Sequence, residues 1–481
     1  MNTQQQQVAA SNQPQVHRRI ETLANHVLLS SSSVVEQELY DQKIFHHCNP
    51  PQTSLNVHYT SGNSSHNQRP INNNNNKMTS IFGTIPMAPR DPILGLNEAY
   101  KEDSSPNKVN LGVGAYRTEE GKPMVLSVVR KVEQMILDQN LDKEYIPQDG
   151  LEAFRKVSPK LMFGFNCKAI EEGRVVCIQS ISGTGALRLG VEFVAKFLPP
   201  GTALYVSNPT WSNHIQICQS AGVPVGYYRY FDSKTNGLAF DDMIHDLKTI
   251  PNKSVILLHA CAHNPTGVDP TPEQWSIIAD VIQQKGHITF FDSAYQGFAS
   301  GDLDKDAFAI RMFVDRGIEM MASQSYAKNF GLYGERIGAL NFVVSNPETA
   351  KQIQSQMKVI VRCLYSSPSL QGARIVAMTL NNPELFQLWK KELVMMSDRI
   401  KEMRQLLFDA LQKRGTPGKW NHILEQIGMF SFTGLQKKHV QVLIEKYHIY
   451  LTDNGRISMC GLNRKNVDYV ADAIDYVVRN C

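Results

Sequence analysis

Six short apolar runs, separated by longer amphipathic segments, constrain the fold of this chain more than any other feature. The runs are RVVCIQS, TALYVSN, SVILLHACA, HITFFDSAY, IEMMASQS and ALNFVVS. They are continuously apolar rather than alternating, which is typical of strands in a sheet buried on both sides. Between two of them, TPEQWSIIADVIQQKG begins with Thr271 and Pro272 and ends at Gly286, as a capped helix does. The pattern predicts an α/β domain with a mostly parallel sheet covered by helices on both faces.

The chain changes character on either side of this region. Residues 1–79 contain the polar tracts QQQQ, SSSS and NNNNN, which carry too little apolar surface to offset the entropy of ordering them. We expect this segment to be disordered or to act as a targeting address. Near the other end, the helical stretch ELVMMSDRIKEMRQLLFDALQKRG is followed by short strands around MFSFTG and GRISMCG, which indicates a second, smaller α+β domain.

Composition excludes several classes of protein. Apolar residues make up 42% of the chain, charged residues 20%, and the formal net charge is +4, so we expect a globular protein without a nucleic-acid partner. The eight cysteines are scattered, and no His/Cys cluster has metal-ligand spacing, so the sequence predicts free thiols and no metal. No run approaches the ~18 apolar residues that a membrane-spanning helix needs.

Polar residues follow several of the predicted strands. In FFDSAYQGF, Asp292 and Tyr295 end one strand. HACAHNPTG ends another with Asn264, and NPTWSNH follows a third with Trp211 and His214. Each motif taken alone is explained by a helix cap, a packed aromatic side chain or a turn. Ligands of open α/β sheets bind at the carboxyl ends of the strands, however, and the recurrence of polar strand ends indicates a site there.

The stretch ISGTGALRLG lies between a predicted strand and a predicted helix. Backbone N–H groups at a helix N-terminus, with the hydroxyls of Ser182 and Thr184, can bind a phosphate. The stretch is not a dinucleotide fingerprint, because Arg188 stands where G-x-G-x-x-G requires glycine, and no Gly-Lys-Ser/Thr of a P-loop follows. A plain glycine turn remains the alternative on this motif alone.

One lysine occupies an unusual stretch, SQSYAKNFGLYGERIG. Lys328 lies eight residues before Arg336 in it. A solvated lysine amine is protonated at neutral pH, so a lysine that acts as a nucleophile needs a pKa lowered by burial and neighbouring cations. Spacing alone leaves both readings open, a solvated surface cation and a reactive amine.

Several motifs occur together in one order: NLGVGAYR, DKEYIP, SGTGALR, NPTW, HNPTG, DSAYQGFASGD, SYAKNFGLYGERIG and GRISMCGL. In this order they resemble the aspartate aminotransferases, pyridoxal-phosphate enzymes of fold type I. The resemblance covers about residues 85–481. It implies the fold described above, pyridoxal 5'-phosphate as cofactor, and a role for each matching residue.

The resemblance implies a reactive lysine and a site for the cofactor phosphate. Lys328 corresponds to the lysine that forms a Schiff base with the cofactor aldehyde and moves a proton between the substrate α-carbon and the cofactor. The cradle of the cofactor phosphate corresponds to Arg336, Ser325, Ser182, Gly183 and Thr184.

The resemblance also implies how the cofactor ring is held. Asp292 corresponds to the carboxylate that keeps the pyridinium nitrogen protonated, and His214 to the residue that orients this carboxylate. Tyr295 and Asn264 correspond to donors to the phenolate oxygen, and Trp211 to the aromatic side chain stacked on the ring. Asp292, Tyr295 and Trp211 are thus implied to act in catalysis with the lysine. Trp211 and Asn264 also border the substrate.

Two arginines are implied to recognise the substrate. Arg456 corresponds to the residue that binds the α-carboxylate, and Arg362, in IVRCLYSSP, to the one that binds the distal carboxylate from the partner subunit. Gly114 lies in the segment that closes over the substrate, and Tyr145 corresponds to a residue that reaches the phosphate of the neighbouring subunit. A homodimer with shared active sites is therefore implied.

The implied activity is that of an L-aspartate:2-oxoglutarate aminotransferase, which exchanges amino acids and 2-oxo acids by a ping-pong mechanism. The alternative is an aromatic or broad-specificity aminotransferase on the same fold, although Arg362 argues against strict aromatic specificity. Ala327 and Ser367 replace a common serine and a common asparagine, which bears only on fine substrate preference. A scaffold protein without activity is disfavoured, because every catalytic position is filled.

Domain boundaries follow from the same resemblance. We expect residues 80–123 to form an arm and the N-terminal part of the small domain. Residues 124–389 should form the large, cofactor-binding domain, and residues 390–481 the C-terminal part of the small domain.

The N-terminal segment bears on the compartment. A mitochondrial presequence is disfavoured, because acidic residues interrupt the segment. RIETLANHV instead resembles a type 2 peroxisomal signal from Arg19 to His26, with Val27 where leucine or alanine is usual. Translation from Met78 rather than Met1 would remove this signal. The sequence thus leaves cytoplasmic and peroxisomal locations open.

Overall fold

The computed structural model describes residues 80–88, 91 and 93–481. The predictions made for residues 1–79 lie outside the described residues. Residues 80–86 belong to a unit of their own, in which the Gly83 N–H donates to the Ser80 carbonyl at 2.9 Å. Every helix and strand discussed below belongs to residues 87–481. None of the helices in this described part combines the length and the apolar content needed to cross a bilayer.

Helices and strands alternate through most of the chain. The helices are α1 Leu94–Glu102, α2 Ser127–Asp138, α3 Glu152–Phe163, α4 Lys168–Glu171, α5 Ser182–Phe197, α6 Ser212–Ser220, α7 Phe240–Thr249, α8 Pro272–Lys285, α9 Leu303–Asp306, α10 Phe308–Asp315, α11 Pro347–Tyr365, α12 Gln371–Asn381, α13 Pro383–Lys413, α14 His422–Glu425, α15 Lys437–Tyr447 and α16 Val467–Asn480. The strands are β1 Val109–Asn110, β2 Val175–Ile181, β3 Leu204–Asn208, β4 Val225–Arg229, β5 Phe231–Asp232, β6 Gly237–Leu238, β7 Val255–His259, β8 Ile288–Ser293, β9 Met320–Ser325, β10 Ile337–Val343, β11 Phe430–Phe432, β12 Ile449–Tyr450 and β13 Arg456–Ser458.

The main sheet has seven strands in the order β2-β10-β9-β8-β7-β3-β4. β10 is antiparallel to both of its neighbours, and the remaining pairs are parallel. The structure therefore confirms the predicted mostly parallel α/β sheet, and each of the six apolar runs overlaps one of its strands. β4, at the edge of the sheet, was not predicted.

Helices cover both faces of this sheet. Neighbouring residues along a strand point to opposite sides. Leu257 and Phe290 pack with α5 and α11 on one face, whereas Leu258 and Phe291 pack with α7, α8 and α10 on the other. Each of these four side chains is at most 1% exposed, and burying such a side chain contributes about 1.5–3 kcal/mol. Burial on both sides explains why the strands read as unbroken apolar runs.

Local sequence signals set the ends of α8. The Thr271 hydroxyl accepts a hydrogen bond from the Gln274 N–H, and the Gln274 side chain accepts one from the Thr271 N–H, which is a capping box. Gly286 ends the helix in the left-handed region, with φ at 60°. These are the boundaries that the sequence predicted.

The last part of the chain brings a small strand pair next to the main sheet. β11 pairs with β13 in antiparallel register, so that Phe430 lies opposite Ser458 and Phe432 opposite Arg456. The long helix α13 packs against α16 and α14 beside this pair. This arrangement fixes the position of Arg456, which begins β13.

Candidate active site

The predicted site residues converge on one cavity of about 500 Å³. The cavity lies where the parallel strands β3, β7, β8 and β9 end. Twelve of the predicted residues line it: Gly114, Ser182, Gly183, Thr184, Trp211, Asn264, Asp292, Tyr295, Ser325, Lys328, Arg336 and Arg456. Topology thus brings together polar residues that are up to 342 positions apart in the sequence (from 114 to 456).

Lys328 lies in the turn that follows β9. Its ammonium nitrogen is 4.8 Å from the centre of the Tyr295 ring, and the residue is partly exposed because it lines the cavity. Burial lowers the pKa of the amine below its ordinary value; the Asp292 carboxylate opposes this change and the Arg336 charge adds to it. The structure thus places Lys328 in the environment that a nucleophilic amine requires.

Asp292 is a buried carboxylate near the end of β8, and it is 8% exposed. Its Oδ2 atom is 3.1 Å from Nε2 of His214, and its Oδ1 accepts a hydrogen bond from the Ser323 hydroxyl at 2.8 Å. Burial raises the pKa of Asp292, but the hydrogen bonds and charge of its neighbours, His214 first among them, outweigh this effect and lower the pKa to about 2. The carboxylate is therefore a fixed negative charge at neutral pH.

His214 is in turn held from its other side. Its Nδ1 atom is hydrogen-bonded to the hydroxyl of Thr210 at 2.9 Å, and its ring stands edge-on to Trp211 with centroids 5.2 Å apart. The side chain is only 1% exposed. A histidine fixed at both nitrogens keeps the Asp292 carboxylate in one orientation.

Three segments converge to form an anion site at one end of the cavity. α5 begins directly at Ser182, without the separate turn that the sequence predicted, and Ser182 has φ at 62°. The Ser182 N–H donates to the Arg336 carbonyl at 3.0 Å, and the hydroxyls of Ser182 and Ser325 are 3.4 Å apart. A side chain at Gly183 would be crowded, because its Cβ atom would lie 3.0 Å from the Cβ of Ser325. Hydroxyls, the free N–H groups of a helix N-terminus and the Arg336 guanidinium together suit a phosphate.

Arg456 also lines the cavity and is 3% exposed. Its Nη1 donates to the Asn264 side chain at 3.2 Å, and its Nη2 donates to the Gly112 carbonyl at 2.7 Å. Its Nε is buried and has no hydrogen-bond partner within the described residues. Burial lowers the pKa of Arg456 to about 10, so the guanidinium remains charged at neutral pH and can bind a carboxylate.

Two aromatic residues, Phe430 and Tyr295, lie close to Arg456 in the cavity. The Phe430 ring lies 4.1 Å from Cζ of Arg456 and stands edge-on to Tyr295, with centroids 6.1 Å apart. A Cβ atom added to Gly114 would lie 2.7 Å from Cζ of Phe430, so this position has room only for glycine. Burial raises the pKa of Tyr295, which keeps its phenol protonated and able to donate.

Tyr145 and Arg362 are not brought into this cavity. They line a separate cavity of about 440 Å³ together with Ser366 and Ser367. Tyr145 is 86% exposed, and Nη1 of Arg362 donates to the Ser366 hydroxyl at 2.7 Å. Their roles at a neighbouring subunit's site stay predictions.

His259 and Phe430 are among the residues in or next to the site that the sequence analysis missed. His259 ends β7, its ring centre is 5.2 Å from that of His214, and burial lowers its pKa to about 3, which keeps it neutral. Its position at a strand end was a signal that could have identified it. Phe430 carries no such signal, because only the pairing of β11 with β13 brings it to the cavity.

The chain is similar in sequence to proteins of one known family. The family model described as "Aminotransferase class I and II" matches residues 106–474. The chain belongs to this family. The aminotransferase is 52% identical over 416 residues to the cytoplasmic aspartate aminotransferase of Dictyostelium discoideum, with 84% of this chain and 94% of that protein covered. Relatives of similar identity carry cytoplasmic, mitochondrial and chloroplastic names.

Solved structures agree with this assignment. The aminotransferase superposes on the cytoplasmic aspartate aminotransferase of Saccharomyces cerevisiae with a TM-score of 0.81 and 43% identity, covering 83% of this chain and 98% of that one. An aromatic-amino-acid aminotransferase from Burkholderia pseudomallei, covalently bound to pyridoxal phosphate, superposes with a TM-score of 0.81 and 41% identity over 83% of this chain and 100% of that one. The expected family and fold are confirmed, as is the expectation of an enzyme.

Proposed function

We infer that this aminotransferase is an aspartate aminotransferase that uses pyridoxal 5'-phosphate. It transfers the amino group of aspartate to 2-oxoglutarate, which gives oxaloacetate and glutamate, and the reaction is reversible. The observation that carries this function is the placement of the Lys328 amine, the Asp292 carboxylate and the Arg456 guanidinium around one cavity, in a chain half identical to aspartate aminotransferases.

The residues of the cavity fit the cofactor. A phosphate needs an anion site, and the N-terminus of α5 provides one beside the hydroxyl of Ser325. A side chain in place of Gly183 would crowd Ser325 in this anion site. A cationic ring nitrogen needs a buried anion, and Asp292 is one. An aldehyde needs a neutral amine, and the lowered pKa of Lys328 favours that form. We therefore propose that Arg336, Ser325 and the first residues of α5 hold the phosphate, and that Asp292 pairs with the ring nitrogen.

Pyridoxal phosphate, when bound, supplies an aldehyde for the substrate amine and a ring that accepts the electron pair of the α-carbon. The chain's own contribution is to position groups and to move protons. In our proposal the neutral Lys328 amine would take the proton from the substrate α-carbon and would then give it up to C4′ of the cofactor, so that the lysine ends the transfer as a neutral amine again. Tyr295 and Asn264 line the cavity and would donate hydrogen bonds to the cofactor, since burial keeps the Tyr295 phenol protonated, and Trp211 would stack on the cofactor ring.

We propose that the two substrate carboxylates are bound by different subunits. Arg456 binds the α-carboxylate, because its guanidinium is buried, charged and free at Nε within the described residues. Arg362 binds the distal carboxylate from a second copy of the chain, and Tyr145 reaches that copy's phosphate site. Their joint position at a second cavity outside their own site supports a homodimer.

The rival activity is that of an aromatic or broad-specificity aminotransferase. The similarity to the Burkholderia pseudomallei enzyme keeps this alternative in view at 41% identity. The higher identity to aspartate aminotransferases, about 52–54%, favours the aspartate enzyme. Side-by-side initial rates with aspartate, phenylalanine and tyrosine as amino donors distinguish the two, and kcat/KM highest for phenylalanine or tyrosine would overturn our choice.

Domain limits and compartment also belong to the proposal. We propose that residues 124–389 form the large domain, that residues 80–123 form an arm and the N-terminal part of the small domain, and that residues 390–481 form its C-terminal part. We further propose a cytoplasmic or peroxisomal location, set by the segment that contains Arg19 and His26.

Borohydride reduction tests the proposed lysine directly. Reduction of the holoenzyme should attach the cofactor to Lys328, and peptide mapping locates the modified residue. Attachment to any other lysine would refute the site.

A further inference from the structure

Arg404 is a buried cation that is held by backbone carbonyls. It lies on α13 and is 4% exposed. Its guanidinium donates to the carbonyl of Ile423 at 2.8 Å, to that of Gly428 at 2.8 Å and to that of Phe430 at 2.5 Å. Burial lowers the pKa of Arg404 to about 9, so it is still protonated at neutral pH. Burying such a charge is unfavourable unless it is hydrogen-bonded, and here one segment of backbone, residues 423–430, accepts all three of these hydrogen bonds.

That segment carries the ring beneath Arg456. Gly428 and Phe430 receive two of the three hydrogen bonds, and the Phe430 ring is 4.1 Å from Cζ of Arg456. The same strand, β11, pairs with β13, which places Phe432 opposite Arg456. Arg404 therefore holds both the backbone and the ring that support the guanidinium of Arg456.

The segment also packs closely on the loop that carries Asn264. The Ile427 N–H donates to the Gly267 carbonyl at 2.8 Å. Gly428 has φ at 79°, and a Cβ atom on it would lie 2.4 Å from the Cβ of Ala262. A shift of this segment would therefore move the side chain of Asn264, which accepts a hydrogen bond from Arg456.

We propose that Arg404 is a positioning residue for recognition of the substrate α-carboxylate. It holds residues 428–430 so that Phe430 supports the Arg456 guanidinium from one side. It lies behind Phe430, outside the lining of the cavity, and acts only through that segment. The inference rests on the proposed function, because it assumes that Arg456 binds the α-carboxylate.

Affinity for a dicarboxylate without an amino group tests this role. The probe is succinate, titrated calorimetrically into wild-type, Arg404→Met and Arg404→Lys holoenzyme. A displacement of about 1 Å at a binding group can cost ~100-fold, so we expect Arg404→Met to weaken succinate binding at least ~10-fold. Lysine keeps the charge but lacks the planar fork that reaches three carbonyls, so Arg404→Lys should fall between Met and wild type. KM should rise by a similar factor for aspartate and phenylalanine, with a smaller change in kcat.

Arg414→Met is the matched control, at the residue that directly follows α13. The partners of Arg414 are Asp468 and Asp472 of α16, not the segment of residues 428–430. Its loss should lower the melting temperature but leave succinate binding unchanged. A purely structural role for Arg404 would give the same result, lower stability with normal affinity, and would overturn the proposal.

A double-mutant cycle keeps the test decisive if Arg404→Met does not fold. If Arg404 acts through Phe430, the effects of Arg404→Lys and Phe430→Leu on succinate affinity should not add, because either change removes the same support. Additive effects, or normal affinity in Arg404→Lys, would contradict the proposal. Failure of the proposed function would appear separately, as a wild-type enzyme that does not transaminate aspartate.

Discussion

The Nε2 atom of His214 lies 3.1 Å from Oδ2 of Asp292, and both side chains are less than 10% exposed. This contact, with the charge of His214 and the Ser323 hydroxyl, outweighs the effect of burial and lowers the pKa of Asp292 to about 2. A carboxyl group whose pKa is depressed on folding stabilises the protein above its unfolded pKa of about 4, and that stability is lost as the pH falls through about 2. Asp292 is thus a buried anion at neutral pH.

Replacing His214 should move the acid limb of the pH–activity profile upward. In His214→Phe the Asp292 carboxylate keeps the hydrogen bond from Ser323 but loses the hydrogen bond and charge of His214, which do most to offset burial, so it becomes protonated at a higher pH. We expect kcat/KM for aspartate to fall on the acid side, with smaller changes at pH 8, in assays from pH 5 to 9. Ser323→Ala removes a contact that lowers the pKa of Asp292 less than His214 does, so it should shift the profile less. Superimposable profiles for His214→Phe and wild type would show that His214 does not control this charge.

Arg362 should determine specificity for dicarboxylates. Removing one partner of a buried, bidentate Arg–carboxylate pair costs about 2–5 kcal/mol. Because ~1.4 kcal/mol is a factor of ten, Arg362→Leu should lower kcat/KM for aspartate by roughly 30- to several-thousand-fold. Phenylalanine and alanine have no distal carboxylate and should be affected far less.

Arg456→Leu is the control for this specificity. Every amino acid has an α-carboxylate, so this variant should impair aspartate, phenylalanine and alanine alike. Equal losses for aspartate and phenylalanine in Arg362→Leu would mean that Arg362 has been assigned to the wrong carboxylate.

Mixed dimers should show that Arg362 acts across the subunit interface. Arg362→Leu and Lys328→Ala subunits are each defective in aspartate turnover. A heterodimer of the two has one site with an intact lysine and an intact partner arginine, so mixing should restore about one working site per heterodimer. The readout is aspartate turnover in heterodimers purified with two different affinity tags. Heterodimers that remain inactive would place Arg362 in its own subunit's site.

The sequence predicted well whatever depends on local physical signals. β2 and β8 are buried on both faces, so their residues read as apolar runs, and Thr271 and Gly286 mark the ends of α8. The sequence placed the start of the long helix too late. Asn382 caps α13 by accepting hydrogen bonds from the N–H groups of Glu384 and Leu385. The helix therefore begins before Glu392, where the predicted helical stretch starts.

Elements with weak burial or non-local partners could not be predicted in this way. β4 is an edge strand whose residues are mostly partly exposed, so it has no apolar run. The antiparallel direction of β10 depends on its neighbours in the sheet, not on its own residues. The support of Arg456 by Phe430 depends on pairing of strands far apart in the chain, whereas Lys328 and Arg336 lie in one motif and were predicted together.

The N-terminal segment should be dispensable for catalysis. The family match begins at residue 106, and a polypeptide that starts at Met78 retains all the matched residues. We expect it to fold, dimerise and turn over aspartate at the rate of the full chain, as measured by initial rates and analytical ultracentrifugation. A marked loss of activity would show that residues 1–77 contribute to the enzyme.

A fluorescent fusion tests the address in the same segment. Residues 1–40 joined to a fluorescent protein should colocalise with a peroxisomal marker, and replacing Arg19 and His26 by alanine should abolish this. Diffuse fluorescence of the unaltered fusion would favour the cytoplasmic location.

Transfer of labelled nitrogen tests the central claim most directly. Holoenzyme is incubated with ¹⁵N-aspartate and 2-oxoglutarate, and the products are analysed by mass spectrometry. We predict ¹⁵N-glutamate and oxaloacetate in equal amounts from the wild-type enzyme. Lys328→Ala should be slower by at least ~10²–10⁴-fold, since the proton at the α-carbon then lacks its acceptor. Absence of labelled glutamate from wild-type holoenzyme, or undiminished transfer by the folded Lys328→Ala variant, would contradict the account.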